Sequence, residues 1–150
     1  MNALLTTIVL WLSLNYELPA NYDHPKIAFA NIEQIAAKRY PGVLRPGGAA
    51  SGAHSNKNDF SIVAFYDMPQ RTIYLAEGWA GKTPAESSVL VHEMVHHLQT
   101  VSGQIYNCPQ ERERLAYDAQ EKWLNLMGRS IQSEFEIDPF AMLVLTRCLG

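Results

Sequence analysis

Apolar residues recur at helical spacing near the start of the chain, where Leu4, Leu5, Ile8, Trp11 and Leu12 are interleaved with Thr6, Thr7 and Ser13. The spacing predicts an amphipathic helix over about 3–16 that packs on the rest of the molecule. Residues 3–14, ALLTTIVLWLSL, are also apolar enough for a signal-peptide core. No Lys or Arg precedes them, however, and the cleavage site at Leu18-Pro19-Ala20 is poor. Pro19 and Pro25 bracket a turn. Lys26–Ala30 then alternates and reads as a strand with Ile27 and Phe29 on one face. Asn31 can cap a helix over about 32–40, stopped by Pro41-Gly42. Residues 46–59, small, polar and glycine-rich, read as a loop within one domain.

Phe60–Tyr66 and Thr72–Leu75 read as two strands, and Asp67-Met68-Pro69-Gln70-Arg71 between them as a hairpin loop. A strong helix start follows. Thr83 is the N-cap, Pro84 takes the first helical position, and Glu86 completes a capping box. This helix should run over 84–101 and end at Gly103. Pro109 opens another over about 110–127, stopped by Gly128, and Asp138-Pro139 a short last one over about 139–147. The order of elements predicts an α+β fold: a small, mainly antiparallel sheet packed on the Thr83-capped helix, with the helix from Pro109 beside it. A chain of 150 residues that is 47% hydrophobic is expected to form one domain over 1–150 with a conventional core. Its formal net charge of −3 and the lack of a basic run give no electrostatic reason to bind nucleic acid. The apolar N-terminal stretch is too short to span a bilayer.

The Thr83-capped helix contains His92-Glu93-Met94-Val95-His96, an H-E-x-x-H pattern. Four helical residues bring His92 and His96 within about 40° of each other, one turn apart. Two imidazoles at this spacing suit zinc. Glu93 stands about 100° round from His92 and about 60° from His96, flanking the pair, where a base acting on a metal-activated water must stand. Metzincins would continue to a glycine and a third histidine, but Gln99 and Ser102 occupy those positions, so that class is excluded. The other common third ligand is a glutamate from a following helix. Glu113 lies in line with Ala116, Tyr117, Gln120, Trp123, Leu124 and Met127, the apolar face, where a lone carboxylate is costly unless it is paired or binds a metal. Glu111 falls on the opposite, solvated face beside Asp118 and Lys122.

H92-E-M-V-H96 followed seventeen residues later by E113-R-L-A116 resembles the gluzincin metallopeptidases, with the pattern H-E-x-x-H…E-x-x-[AS]. The chain is similar in particular to small uncharacterised bacterial zincin-like domains, over residues 60–127. The resemblance implies one zinc ion held by His92, His96 and Glu113. It implies peptide-bond hydrolysis with Glu93 as general base for a zinc-held water, and a peptide or protein substrate lying along an edge strand. Gluzincins usually carry an aspartate four residues after the ligand glutamate to orient a ligand histidine. Here Tyr117 stands there, leaving Asp118 or Gln120 for that task. Tyr117, on the face of Glu113, is placed either to donate to the transition-state oxyanion or simply in the core. The chain has no helical subdomain long enough to form the other wall of a cleft. The rival expectation is a non-catalytic zincin-like domain with structural zinc that binds a protein partner.

Other residues read as structural. His97 points away from the ligand pair and His54 decorates the glycine-rich loop. Trp11, Trp79 and Trp123 belong to the core, and Arg71 to the hairpin. Cys108 precedes the Glu113 helix and Cys148 follows the last helix, so a disulfide is expected, and with it an extracytoplasmic location. Two free thiols would instead indicate the cytoplasm.

Overall fold

Residues 1–39 and 64–149 are described by a computed structural model. The elements are α1 (Asn2–Tyr16), β1 (Lys26–Ala30), α2 (Ile32–Arg39), β2 (Ala64–Asp67), β3 (Thr72–Ala76), α3 (Pro84–Val101), α4 (Pro109–Asn125), α5 (Ile131–Phe135) and α6 (Pro139–Thr146). The α+β expectation holds. The expected loop over 46–59, His54, the Pro41-Gly42 stop and residues 60–63 of the expected Phe60–Tyr66 strand lie outside the described residues.

Strand chemistry decides what each face of the sheet covers. Ala64, Tyr66, Ile73 and Leu75 alternate along β2 and β3 and point into the main core with Leu90, Met94, Val95 and Leu98 of α3. The other face, with Phe65, Tyr74, Ala30 and Ala76, covers Ile35 of α2. α1 closes the core from the far side, where Leu5, Ile8, Val9 and Leu12 are buried at the helical spacing read from the sequence. No described helix is long and apolar enough to cross a membrane.

The sheet departs from the expected pattern. It is mixed, in the order β1-β3-β2, with β2 antiparallel to β3 and β1 parallel to β3. The β2–β3 hairpin is as expected, with Arg71 at φ 47 in its turn. β1 pairs on the other side of β3 and parallel to it, an arrangement that a tight hairpin cannot make. In consequence β2 is an edge among the described strands, and it is the strand that lies against α3. Ile27 packs on the core as expected, whereas Phe29 is 54% exposed on the outer edge strand. α5 was not expected; Ser130 and Ser133 cap its first turn reciprocally.

α3 carries the site, and its start is fixed twice over. Thr83 Oγ1 accepts from Glu86 N–H at 3.1 Å, and Glu86 accepts from Lys82 N–H at 2.8 Å and Thr83 N–H at 3.2 Å. Trp79 donates to the Glu86 carbonyl and Trp123 to Ser87 Oγ, and Trp11 packs edge-on against Trp123. All three tryptophans thus pack against the core, as read from the sequence. α4 lies along α3 through buried Ala116 and Ala119, small enough for close approach. A disulfide joins Cys108 to Cys148, with Cα atoms 5.8 Å apart, as expected.

Candidate metal centre

The helical register does what its spacing predicts. His92 and His96 stack one turn apart on α3 with ring centroids 4.9 Å apart, and their Nε2 atoms lie 3.2 Å from each other. Glu113 reaches across from α4. Its Oε2 is 3.0 Å from His92 Nε2 and its Oε1 3.2 Å from His96 Nε2. One ligand atom from each of the three residues falls within 4.8 Å of the others. Both histidines are buried and Glu113 is partly so. Glu111 is elsewhere, accepting from the backbone N–H of Asn107 at 2.7 Å and from its side-chain amide at 3.0 Å at the start of α4.

The outer nitrogens explain why the inner ones converge. Ser88 donates its hydroxyl proton to the Ala85 carbonyl at 2.8 Å, so toward Gln120 it can only accept. Gln120 Nε2 donates to Ser88 Oγ at 3.3 Å, which turns Gln120 Oε1 toward His92 Nδ1 at 3.0 Å. His92 therefore carries its proton on Nδ1. The same logic holds for His96. Gln99 Nε2 donates to the Arg112 carbonyl at 3.1 Å, leaving Gln99 Oε1 to accept from His96 Nδ1 at 3.1 Å. Arg112 braces this second pair, donating to His96 O at 3.1 Å and Thr100 Oγ1 at 3.0 Å. Of the residues weighed for orienting a ligand histidine, Gln120 does so. Asp118 turns away to accept from Tyr16 of α1 at 2.8 Å. Gln99 was passed over in the sequence except as a missing glycine, although its place three residues after His96 puts it on the same helical face.

With both protons fixed outward, two Nε2 lone pairs and a carboxylate face one another in a buried space. Such an arrangement asks for a cation. Without one, a proton takes part of the role. Burial pushes His92 down, but the hydrogen bond and charge of Glu113 outweigh it and hold His92 above its ordinary value. Burial likewise pushes Glu113 up, but its close contacts with His92 and His96 prevail and hold its carboxyl far below the usual carboxylate range. Two imidazoles and one carboxylate are the donor set of His₂Glu zinc sites.

A cleft of about 670 Å³ opens beside this group. Glu93, His96, Glu113 and Tyr117 share its wall with β2 residues Phe65 and Tyr66. Glu93 is only 4% exposed, and that small window is onto the cleft. Tyr117 stands edge-on to His92 with ring centroids 4.6 Å apart, so it is part of the site and not a residue of the deep core. His97 lies outside the group of His92, His96 and Glu113. Its Nε2 donates to the Asp23 carbonyl at 2.8 Å, and its Nδ1 accepts from Tyr66 at 3.1 Å. Buried His97 thereby ties the segment before β1, and β2 itself, to α3.

Comparison with curated proteins and with solved structures finds no match. One family model, described as a domain of unknown function (DUF6647), matches residues 1–149, and the chain belongs to that family.

Proposed function

We propose that this chain is a zinc-dependent metallohydrolase of the zincin type, a peptidase related to the gluzincins, with His92, His96 and Glu113 as its metal ligands. One observation carries the reading: the outer hydrogen bonds of Gln120 and Gln99 leave His92 Nε2 and His96 Nε2 both facing the Glu113 carboxylate. When bound, zinc would supply Lewis acidity, polarising a carbonyl and lowering the pKa of a water beside it. The chain's own residues do the remaining work. Glu93 is not part of the ligand group and faces the cleft next to it. It accepts the proton of the attacking water and passes it to the leaving amine. Tyr117, on the same wall, is placed to donate to a developing oxyanion. Among the described strands, β2 is an edge beside α3 on which an extended peptide can add as a strand. The Cys108–Cys148 bridge supports an oxidising, extracytoplasmic setting.

The rival is a structural zinc that serves a partner-binding domain. The placement of Glu93 and Tyr117 on an open cleft favours the enzyme. Metal analysis of the purified chain, with cleavage of a mixed peptide pool by wild type and Glu93→Gln, tests the reading. One bound zinc in both proteins, with cleavage by wild type alone, is the expected result. A metal-free wild type, or a zinc protein that cleaves nothing in the pool, counts against it.

A further inference from the structure

α6 is built almost wholly of apolar residues, PFAMLVLT, yet none of them is buried. Phe140, Leu143, Val144 and Leu145 are all exposed, as is Leu149 beyond the helix end. Isolated apolar residues on a surface need no explanation, but a contiguous group of this kind does. Part of the answer is where the group lies. Val144, Leu145 and Leu149 line the same cleft as Glu93, His96 and Glu113, and Phe65 of β2 lines it as well. The end of α6 and the residues just after it thus supply a wall of the cleft. The disulfide at Cys148 ties this segment to Cys108, five residues before Glu113, so the apolar wall and the third ligand are fastened to the same helix start.

Resting on the function proposed above, we infer that Val144, Leu145, Leu149 and Phe65 form the specificity wall of the cleft. It selects substrates with a large apolar side chain close to the scissile bond. Burying a leucine-sized group there is worth one to two orders of magnitude in affinity.

The test is binding, not turnover. Calorimetric titration of the zinc-loaded protein compares acetohydroxamate, which has no side chain, with leucine and aspartate hydroxamates. Leucine hydroxamate is expected to bind at least tenfold more tightly than aspartate hydroxamate. Leu145→Ser with Leu149→Ser should remove that preference and leave acetohydroxamate affinity unchanged, which also reports that the variant is folded and loaded. Equal affinity for the two amino-acid hydroxamates, with acetohydroxamate still bound, overturns the specificity wall alone. The same holds if the double variant keeps the preference. Failure of acetohydroxamate to bind the loaded wild type removes the open metal position, and both readings fall together.

Discussion

Gln120 Oε1 accepts from His92 Nδ1 at 3.0 Å, and the direction of that bond is set two residues away by the hydroxyl of Ser88. His92 and His96 are both oriented in this way by neutral amides and not by carboxylates. A carboxylate partner raises the basicity of a ligand imidazole. An amide fixes the same tautomer with less donation, and leaves a bound metal the stronger Lewis acid.

Gln120→Ala is therefore expected to weaken zinc about 10–100-fold, as removal of such an orienting partner does elsewhere. Gln120→Glu should instead hold zinc at least as tightly as wild type. Competition with a coloured chelator measures both. Zinc affinity unchanged in Gln120→Ala would mean that the amide does not orient His92.

The two glutamates of α4 separate cleanly. Glu113→Ala removes one of three protein ligands and should abolish stable zinc binding. Glu111→Ala should leave zinc in place and cost only about 0.5–1 kcal/mol, because Glu111 caps the turn at Asn107. Zinc stoichiometry and chemical denaturation of the two variants, side by side, check the register of α4 directly.

What the sequence disclosed, and what it withheld, follows from the range of the forces involved. The start of α3 was legible because Thr83, Pro84 and Glu86 act on one another within a single turn, and the stacking of His92 on His96 follows from helix geometry alone. Glu113 was legible because one face of α4 is apolar around it. The pairing of β1 was not, since its parallel partner β3 is distant in sequence, and no local mark records which strand edge it joins. Phe29 alternates correctly but meets no layer on its side of the edge strand. The grip of Gln99 on His96 was half visible in its spacing. The brace from Arg112 to that pair depends on the crossing of α3 and α4, and no pattern along the chain encodes a crossing.

Glu86 gives α3 a pH-dependent start. Burial pushes its carboxyl up, but bonds from the backbone N–H groups of Lys82, Thr83, Ala80 and Gly81 outweigh this and hold it below its ordinary value of 4.5. A carboxyl depressed in the folded state stabilises above its unfolded value, and that stability is lost as pH falls through the folded one. Glu86→Gln should therefore cost about 0.5 kcal/mol near neutral pH, a modest figure because the group is only partly buried. The gap between the two proteins should close as pH drops below 4.5. Denaturation curves across that range check it, and a gap that stays constant with pH would place the effect in packing.

The bridge between Cys108 and Cys148 acts on the fold and on the site together. It closes a loop with a sequence separation of 40, which in the chain-entropy account contributes about 4 kcal/mol by restricting the unfolded chain. Its other effect is local. Cys108 is the N-cap of α4, yet its side chain makes no capping hydrogen bond, so the start of that helix is held by the disulfide and by Glu111. Glu113 sits on the first turns of the same helix. Reduction, or Cys148→Ser, is expected to lower the melting temperature, and to lower it more when zinc has been chelated. On the proposed reading, zinc would tie α3 to α4 through His92, His96 and Glu113 and stabilise only the folded state. Removing both bridge and zinc should therefore cost more than the sum of the two separate losses measured from oxidised, zinc-loaded protein. Thermal melts of the four combinations, oxidised or reduced and loaded or chelated, form a cycle that reads this coupling. Strict additivity would show that the bridge steadies the chain without steadying the metal site, and free alkylation of both thiols in native, unreduced protein would show that no bridge forms.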